Sequence, residues 1–402
     1  MTSLACLPDD PPGDAGEDMA TAPSGDRPAP APRLKVWSIV NSLTTGGAEM
    51  LVASLHANFP AQGATSTIVA LCDAPTLGNS AQTEARLAQE IATNGRFVSL
   101  GLDHRRRILA GARALRRLLR HDRPDVIHAH TARALPMIAL AGYRGAVVLT
   151  HHNSRLSFSP RLFRLFDRVV THYVAISPEV ADIYRRHSRR PFTLIANAPA
   201  AAFAVSAPRQ TVSSPLRILS VGAISDQKNY PLLVETARTL REQMRQRRPG
   251  QQQPDPAMPR FRIAGGGAEL AEMRALVQRE GLQDVVDFLG ERDDVRALLA
   301  DSDVFLNTSR YEGMSVAILE AFASALPVIA TDVPGNRDLV ESHRNGLVAP
   351  ERAHHLAAAV LRVMDTPGLH ERLSQGALAT GRDYTIEAAT GRHIGLYTAL
   401  LP

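Results

Sequence analysis

Two glutamates mark the segment of this sequence in which residues suited to chemistry are most concentrated. In R-Y-E-G-M-S-V-A-I-L-E-A, Glu312 lies in a loop and Glu320 lies eight positions later in a predicted helix. Ser315 is suited to cap that helix, which is expected over Val316 to Ala325 because Pro327 stops it. Backbone N–H groups at a helix start attract phosphate, and the two carboxylates can bind different hydroxyl groups of one compound. The pattern predicts a site for a sugar nucleotide.

The glutamate spacing alone is a weak signal. An ordinary amphipathic helix after a strand would produce it, with Glu320 merely solvated. The flanking sequence is more specific, because the segment continues into L-P-V-I-A-T-D. Gly313, between the first glutamate and the helix, is expected to let the backbone turn tightly.

Lysine is rare in this chain, which makes one lysine informative. Of the 45 basic residues, only Lys35 and Lys228 are lysine. Lys228 follows a predicted strand in V-G-A-I-S-D-Q-K-N-Y-P, just ahead of a helix. An ammonium group there can neutralise a diphosphate and stabilise charge that develops on a leaving group. A chance solvated lysine is the alternative, and it suits Lys35 better than Lys228.

These residues need a scaffold of alternating strands and helices to position them. The chain has 402 residues, 45% of them hydrophobic, which is enough for two cores. Strand candidates such as K-V-W-S-I-V, D-V-I-H-A-H and R-I-L-S-V-G alternate with helical segments, which is typical of parallel sheets covered on both faces. The sequence therefore predicts an α/β fold of two Rossmann-like, doubly wound domains facing a central cleft.

The predicted boundaries divide the chain into five segments. Residues 1–32, rich in Pro, Ala, Gly and Asp, are expected to form a disordered tail. Residues 33–197 form the first domain, residues 198–215 a linker and residues 216–383 the second domain. Residues 384–402 are expected to be helical. The motifs then lie at strand ends, where open parallel sheets bind their ligands.

The composition excludes several classes of function. Cys6 and Cys72, the only cysteines, are too few and too far apart in sequence for a disulfide framework or a zinc site. The first residues lack the basic region and apolar stretch of a secretory signal, so we expect a cytoplasmic protein. The net charge of +5 comes without a recognised nucleic-acid-binding motif, and nucleic acid is therefore not an expected partner.

A basic amphipathic helix is predicted over residues 105–120. Its apolar stripe comprises Ile108, Leu109, Ala112, Leu115, Leu118 and Leu119, and its other side carries Arg106, Arg113, Arg117 and Arg120. Such a helix can dock on anionic lipid at the inner face of a membrane. The stripe can equally pack on the sheet and leave the arginines solvated. The pattern leaves both interpretations open.

The segment S-R-Y-E-G-M-S-V-A-I-L-E-A, followed by L-P-V-I-A-T-D, resembles the glutamate, seven residues, glutamate motif of the retaining glycosyltransferases of family 4. The resemblance covers roughly residues 34–400 and implies the GT-B fold. It implies a hexosyltransferase that moves a sugar from a nucleoside-diphosphate sugar to a glycan or lipid-linked acceptor, with retention and without a metal or cofactor. Cell-surface polysaccharide or lipopolysaccharide synthesis is the expected setting. In the family, a C-terminal helix crosses back onto the first domain.

The resemblance also implies roles for individual residues. Glu312 would contact the transferred sugar, Glu320 the nucleotide ribose, and Lys228 the diphosphate. The expected catalytic residues are Glu312, His130 and Lys228. The expected donor-binding residues are Gly46, Gly47, Lys228, Gly265, Gly266, Arg310, Glu312, Gly313, Met314, Ser315 and Glu320.

Two strand ends carry histidines. His130 ends the strand D-V-I-H-A-H, which points it into the cleft, and the resemblance places it near the transferred sugar. His128, two residues earlier, lies deeper and is expected to be structural. His152 ends the next strand in a loop that resembles the histidine loop of the family, which implies an acceptor-binding role. No metal is expected, since histidines at strand ends are more often hydrogen-bonded than ligands.

The sequence departs from the family at Ala223. Many relatives carry an arginine there, which pairs with the lysine at the position of Lys228. Arg310 or Arg292 could replace that arginine. The A-D-S-D segment around Asp301 resembles a two-aspartate metal motif of another glycosyltransferase fold, but its place before a strand favours an ordinary turn.

Other functions stay open at this point. A sugar-nucleotide epimerase can share this architecture, and a catalytically inactive protein could bind the same donor. The intact Glu312, Glu320 and Lys228 argue against an inactive protein. The role of Gly46 and Gly47 is open too, because a glycine pair before a helix can form a tight turn that serves packing alone.

Overall fold

The computed structural model describes residues 34–156, 158–205, 207–247 and 255–402. The predicted disordered tail, residues 1–32, lies outside the described residues. Two parallel β-sheets organise the described chain, and helices connect their strands. This arrangement confirms the prediction of two doubly wound α/β domains.

The first sheet contains seven parallel strands, and we call the part of the chain built on it the first lobe. Its strands are β1 (Leu34–Val40), β2 (Ala64–Ala70), β3 (Arg96–Ser99), β4 (Val126–Ala129), β5 (Ala146–Thr150), β6 (His172–Ala175) and β7 (Phe192–Leu194). Their spatial order is β3-β2-β1-β4-β5-β6-β7, so the direction of winding reverses between β1 and β4. The reversal opens a crevice at the carboxyl ends of these two strands.

The second sheet contains six parallel strands, and the part of the chain built on it is the second lobe. Its strands are β8 (Arg217–Val221), β9 (Arg260–Ala264), β10 (Val286–Gly290), β11 (Val304–Asn307), β12 (Val328–Thr331) and β13 (Gly346–Ala349). The spatial order β10-β9-β8-β11-β12-β13 reverses between β8 and β11. Lys228 follows β8 and Glu312 follows β11, so the topology brings both residues to the same crevice.

Helices cover both sheets. They are α1 (Gly47–Asn58), α2 (Ala81–Ala92), α3 (Ile108–His121), α4 (Ala134–Ala141), α5 (Phe163–Phe166), α6 (Pro178–His187), α7 (Tyr230–Arg247), α8 (Leu270–Arg279), α9 (Val295–Ala300), α10 (Val316–Ala323), α11 (Pro334–Arg337), α12 (Ala353–Asp365), α13 (Leu369–Asp383) and α14 (Ile386–Ala399). The strands are accordingly buried on both faces, as is usual for parallel sheets that helices cover on each side.

Helix α10 begins as the sequence predicts and ends slightly earlier. The Ser315 hydroxyl oxygen accepts a hydrogen bond from the Ile318 N–H at 3.4 Å, which confirms Ser315 as the N-cap. The helix ends at Ala323, since Ala325 adopts a left-handed conformation with φ of 55°. A residue in that conformation cannot continue the helix.

The last helix, α14, packs against α1 of the first lobe. Its Tyr397 is completely buried, and the Tyr397 hydroxyl lies 2.6 Å from His128 Nδ1 in β4. The rings of Tyr397 and Phe59 are also in contact, with centroids 6.3 Å apart. The chain that leaves the second lobe therefore returns to the first and joins the two lobes again.

The apolar stripe of helix α3 divides into a packed part and an open part. Ala112 and Leu115 are buried, in agreement with packing on the sheet. Ile108 and Leu109, at the start of the helix, are 38% and 63% exposed. Across the described ranges, no helix combines the length and the apolar character needed to cross a membrane.

Candidate active site

A cavity of about 300 Å³, which we call the glutamate cavity, lies between the lobes at the carboxyl ends of the strands. The predicted site residues in its lining are Gly46, Gly47, His152, Lys228, Glu312, Met314, Ser315 and Glu320. A second cavity of about 590 Å³, the glycine cavity, is lined by Gly265 and Gly266. The two cavities share Gly46, Gly222 and Ala223, so one ligand can extend through both.

Lys228 and Glu312 form an ion pair in the glutamate cavity. The Lys228 Nζ lies 2.6 Å from Glu312 Oε1, and Ser309 Oγ donates a hydrogen bond to the same oxygen at 2.7 Å. Glu312 is 5% exposed, so its charge needs these partners. In the part of the chain that the structure describes, both contacts go to Oε1, which leaves Oε2 available to accept hydrogen bonds from a ligand.

Glu320 lines the same cavity but has a different environment. It lies in the second turn of α10 and forms no ion pair with any described residue. Burial raises the pKa of the Glu320 carboxyl to about 8. The two glutamates therefore offer a ligand a carboxylate fixed by a lysine and a carboxyl group whose proton is retained near neutral pH.

Gly313 is required by a close approach between the lobes. A methyl group on Gly313 would lie 2.7 Å from the carbonyl oxygen of His152 and 3.0 Å from Asn153 Cα. Gly313 does not adopt a positive φ, so the expected tight turn is not what demands glycine here. Gly313 instead allows the loop that carries Glu312 to touch the first lobe.

Glu49 is a cavity residue that the sequence analysis missed. It lies in the first turn of α1, and a methyl group on Gly46 would lie 2.5 Å from Glu49 Oε2. Burial raises the pKa of the Glu49 carboxyl. An acidic residue in a first helical turn is ordinarily stabilised by the helix dipole. The Glu49 carboxyl lies beside the glycine pair at the start of α1, and both line the glutamate cavity.

Asn197 is the second cavity residue that was missed. Its Nδ2 donates to the carbonyl oxygen of Met314 at 2.9 Å, across the two lobes. Its Oδ1 is buried and has no hydrogen-bond partner among the described residues. An unsatisfied buried acceptor is costly, so Oδ1 is suited to accept a hydrogen bond from a bound hydroxyl. The segment I-A-N-A-P carries no pattern that signals this role.

Three histidines form a row at the ends of β4 and β5. His130 Nδ1 lies 2.8 Å from His152 Nε2, while His130 Nε2 and His152 Nδ1 are buried without partners among the described residues. His128 contacts Tyr397 and Thr150 through its two ring nitrogens, as expected for a structural residue. Of the pair, His152 lines the glutamate cavity and His130 lies behind it. His130 therefore reaches the cavity through His152.

Burial lowers the pKa of both histidines of this pair. The pKa of His152 falls to about 3, and that of His130 falls well below its ordinary range, with neighbouring histidines adding to the effect. Both rings are neutral near neutral pH as a result. A neutral imidazole donates at one nitrogen and accepts at the other, so this pair forms a directional hydrogen-bond relay.

The predicted arginine substitutes for Ala223 have other partners. Arg310 contacts Asp226 at 3.2 Å and Glu351 at 2.8 Å, and it does not belong to the described lining of either cavity. Donor binding by Arg310 would require these ion pairs to open. Arg292 lines the glycine cavity, although its guanidinium binds Asp294 at 2.6 Å.

The aspartates of the A-D-S-D segment bind arginines. Asp303 accepts a hydrogen bond from the Arg217 backbone at 2.8 Å, and Asp301 contacts Arg262 at 2.9 Å. These contacts agree with an ordinary turn before β11. Within the described ranges, no group of three His, Cys, Asp or Glu side chains is arranged to hold a metal ion.

Two family models match the chain. The model described as Glycosyltransferase Family 4 matches residues 45–198, and the model described as Glycosyl transferases group 1 matches residues 206–379. Together they span both lobes and the cavities between them. The chain belongs to glycosyltransferase family 4. The resemblance of the glutamate motif to this family is thereby confirmed.

Curated proteins similar to this family 4 chain include two from bacterial polysaccharide synthesis. It is 26% identical to the lipopolysaccharide core biosynthesis glycosyltransferase LpsE of Rhizobium meliloti, over 75% of this chain and 82% of LpsE. It is 30% identical to the amylovoran biosynthesis glycosyltransferase AmsK of Erwinia amylovora, over 39% of this chain and 37% of AmsK. The chain spans less than half the length of AmsK and of further curated relatives that it matches.

A solved structure gives the same architecture. HepE of Anabaena, crystallised in complex with UDP and glucose, is 19% identical to this family 4 chain. The two structures superpose with a TM-score of 0.73, over 91% of this chain and 100% of HepE. This likeness concerns the fold, and it confirms the predicted GT-B arrangement of two Rossmann-like domains facing a cleft.

Proposed function

We propose that this protein transfers a hexose from a nucleoside-diphosphate sugar to a glycan or lipid-linked acceptor, with retention of anomeric configuration and without a metal ion. The observation that carries the proposal is the Lys228–Glu312 ion pair beside the start of α10, in a cavity lined by both lobes. A cation and a helix start suit a diphosphate, while two carboxyl groups suit sugar hydroxyls.

The donor is proposed to lie across both cavities. Its diphosphate would meet the Lys228 ammonium and the first N–H groups of α10, which line the glutamate cavity. The transferred sugar would bind the free Oε2 of Glu312, and the ribose would bind Glu320. The base would occupy the glycine cavity, where Gly265 and Gly266 allow close approach of the backbone.

The proposed transfer breaks the bond between the anomeric carbon and the diphosphate oxygen. Lys228 would stabilise the charge that accumulates on that oxygen. The acceptor hydroxyl would approach from the same face and form the new glycosidic bond. Its proton would pass to the leaving phosphate, so no enzyme carboxylate is required as a nucleophile. The neutral His152 would orient a hydroxyl group by a hydrogen bond, and His130 would act through its contact with His152.

The comparisons support the substrate classes in this proposal. LpsE and AmsK are named for the synthesis of lipopolysaccharide core and amylovoran, and HepE was crystallised with UDP and glucose. The HepE complex favours a nucleotide sugar as donor, and the names of LpsE and AmsK favour a bacterial polysaccharide or lipopolysaccharide as acceptor. The base and the sugar of the donor are the first properties to determine.

A donor panel tests the proposal. UDP, GDP and ADP sugars are compared by thermal shift, and any donor selective for the native state raises the melting temperature. Turnover of the chosen donor is then followed by NMR at its anomeric proton, with and without acceptor and with and without EDTA. Retention in the product and activity in EDTA are expected. Glu312→Ala should abolish transfer while its melting temperature shows an intact fold.

Other outcomes identify other functions. Stereochemical change of the donor in the absence of acceptor would indicate an epimerase. Binding of the donor with no turnover by any acceptor preparation would indicate a binding protein. Normal transfer by Glu312→Ala would contradict the assignment of this site.

We propose in addition that one face of the first lobe contacts anionic membrane. Helices α3, α4 and α5 cover the same face of the sheet, because each connects strands in the same direction along it. Leu109, Leu140 and Leu165, one in each helix, are 63%, 49% and 50% exposed. Exposed Arg161 and Arg164 precede the last of these in the chain, and arginines beside apolar side chains favour anionic lipid.

Sedimentation with vesicles tests this face. The full chain is expected to bind phosphatidylglycerol vesicles and not phosphatidylcholine vesicles. The variant Leu109→Gln/Leu165→Gln should lose most of this binding. Leu194→Gln is the matched control, since Leu194 is 45% exposed but lies on β7. Equal sedimentation of both variants and of the wild type would remove the proposed membrane face.

A further inference from the structure

Two arginines in the first lobe are half-buried without a partner for their charge. Arg105 precedes α3 and Arg133 precedes α4, and neither forms an ion pair or a side-chain hydrogen bond with any residue that the structure describes. The other half-buried arginines of the described ranges each bind a carboxylate or a backbone carbonyl: Arg86, Arg209, Arg217, Arg238, Arg241 and Arg262.

These two arginines lie in one cluster with Arg106. Helices α3 and α4 pack against each other, and both begin at the carboxyl edge of the first sheet. Burial, and then the charges of Arg105 and Arg106, lower the pKa of the Arg133 guanidinium. Asp103, the acidic residue of the same loop, binds Arg107 at 3.3 Å instead. Asp73 lies in the same neighbourhood, since its charge acts on Cys72 together with those of Arg105 and Asp103, but none of the three clustered arginines forms an ion pair with a described carboxylate.

The backbone adds to the positive potential of this cluster. Helix α3 and helix α4 both start without a side-chain cap, and neither has an acidic residue in its first turn. Arg107 and Arg133 occupy the two N-cap positions, where Asp, Ser, Thr or Asn are the usual residues. Holding these guanidinium charges close together costs free energy, and binding of an anionic ligand would offset that cost.

The position of the cluster relates it to the acceptor side of the cleft. Arg133 follows His130 by three residues in the loop after β4, and His130 contacts His152 of the glutamate cavity. None of the three arginines lines either cavity as described, so the cluster is separate from the diphosphate position at Lys228. It lies on the lobe that faces the donor site from the opposite side.

We propose that Arg105, Arg106 and Arg133 form a binding site for a phosphate group of the acceptor. This inference rests on the proposed transferase function, and it deepens it by assigning the acceptor to the phosphate-bearing class. Guanidinium groups bind phosphate through paired, charge-assisted hydrogen bonds, and three of them match the charge of a phosphate monoester or diphosphate.

The surface next to the cluster suggests what the phosphate is attached to. Ile108 and Leu109, which follow the arginines in the chain, are exposed. A phosphate carried by a lipid would place its apolar chain on these side chains, whereas a sugar phosphate would leave them in water. Both sources share the phosphate chemistry, and the experiment separates them.

The test measures phosphate binding to the full chain by calorimetry. Inorganic phosphate and glucose 1-phosphate are titrated while the nucleoside diphosphate of the preferred donor is kept saturating, so that the Lys228 position is occupied. The variant Arg105→Gln/Arg133→Gln should weaken phosphate binding by about tenfold or more, which corresponds to about 1.4 kcal/mol or more, because charged hydrogen bonds to the phosphate are lost. Arg113→Gln, an exposed arginine of α3, is the matched control and should bind as the wild type does.

Each result has a defined meaning. Equal phosphate affinity of the wild type and the double variant overturns the site, and so does an equal loss in Arg113→Gln. Tighter binding of glucuronate than of phosphate overturns the phosphate assignment. The affinity for the nucleoside diphosphate is measured separately and should not change in the double variant. If no nucleoside diphosphate binds at all, the proposed function fails, while the phosphate titration still compares wild type and variant.

Vesicles provide the second arm of the test. Soluble glucose 1-phosphate that competes with phosphatidylglycerol vesicles for the wild-type protein supports one phosphate site that accepts either source. Vesicles that bind through Arg105 and Arg133 in the absence of any binding of soluble phosphate would assign these arginines to a membrane surface, which overturns the acceptor site.

Discussion

The ammonium of Lys228 lies 2.6 Å from Glu312 Oε1, although the two residues are 84 positions apart in the sequence. They meet because each follows one of the two strands, β8 and β11, between which the second sheet reverses its winding. In the structure the Glu312 carboxylate binds the Lys228 ammonium. A diphosphate that enters the cavity must share that ammonium, so donor binding and the placement of Glu312 are coupled through one contact.

This ion pair predicts that the free energy of unfolding can be restored by a second mutation while the affinity for the nucleoside diphosphate stays low. Lys228→Met should lower the free energy of unfolding by about 2–4 kcal/mol, because it leaves the buried Glu312 charge without its cation. Lys228→Met/Glu312→Gln should recover most of that loss, since the uncompensated charge is gone. Neither variant should bind the nucleoside diphosphate with the affinity of the wild type. Urea denaturation and thermal shift with nucleotide measure the two quantities.

A surface ion pair provides the control for these two variants. Arg337 and Asp332 lie 2.8 Å apart and are both exposed, so Asp332→Asn should change the free energy of unfolding by less than about 1 kcal/mol. Nucleotide affinity of the double variant equal to that of the wild type would remove Lys228 from the proposed diphosphate site.

The raised pKa of Glu320 predicts how stability depends on pH. Its carboxyl titrates at about 8 in the folded chain and at 4.5 ordinarily, so the folded state binds more protons between these values. The free energy of unfolding therefore falls as pH rises through this window. Glu320→Gln should remove about 1–2 kcal/mol of the fall between pH 5.5 and pH 7.5, allowing for partial exposure.

Urea denaturation at several pH values checks the effect of Glu320. Glu235→Gln is the matched control, because Glu235 is an exposed glutamate of α7. It should follow the pH dependence of the wild type. The same slope in Glu320→Gln and in the wild type would show that the folded protein does not hold a proton on Glu320.

The residues that could be predicted from the sequence belong to local motifs at strand ends. Glu312, Glu320 and the cap Ser315 lie in one loop and helix, and Lys228 lies in the loop between β8 and α7. Parallel strands bring their carboxyl ends to one edge, so residues placed after strands converge without further information. The two doubly wound domains followed from the alternation of strands and helices, and the resemblance to family 4 implied the GT-B fold.

Other features depend on tertiary contacts that spacing does not encode. Glu49 resembles an ordinary first-turn glutamate until its burial between the lobes is known. Gly313 is needed for its distance to His152, a residue of the other lobe. The feature that distinguishes Arg105 and Arg133 is the missing partner in space, which no sequence pattern of arginines can indicate.

The histidine relay predicts that the transfer rate does not fall near pH 6.5 through protonation of a histidine. Burial keeps His152, with a pKa of about 3, neutral at pH 5.5 and above, and it lowers the pKa of His130 well below its ordinary value. The transfer rate should then not change in this range through protonation of the pair. Nitrogen-15 NMR of labelled histidines should show two neutral rings of fixed tautomer, because a hydrogen bond joins them.

The same pair has a consequence for acid stability. The unfolded chain protonates its histidines near pH 6.5, whereas the folded chain keeps His152 neutral down to about 3. The free energy of unfolding therefore falls as pH drops below 6.5. His152→Gln should reduce this fall relative to the wild type, and the exposed His343→Gln should not. A rate that drops near pH 6.5 together with NMR signals of charged rings would contradict the neutral relay.

The contact at Gly313 predicts that one methyl group weakens donor binding. In Gly313→Ala the new methyl would lie 2.7 Å from the His152 carbonyl oxygen, and a backbone atom cannot move aside as a flexible side chain does. The lobes must then separate or the Glu312 loop must shift. We expect a loss of about 1–3 kcal/mol in the free energy of unfolding and weaker binding of the nucleoside diphosphate.

Gly391→Ala in α14 is the control, since nothing lies within 4 Å of its methyl position, and it should be neutral or slightly stabilising. Small-angle scattering of the two variants with saturating nucleotide measures the separation of the lobes. Nucleotide affinity and scattering of Gly313→Ala that match those of Gly391→Ala would show that the lobes do not depend on this contact.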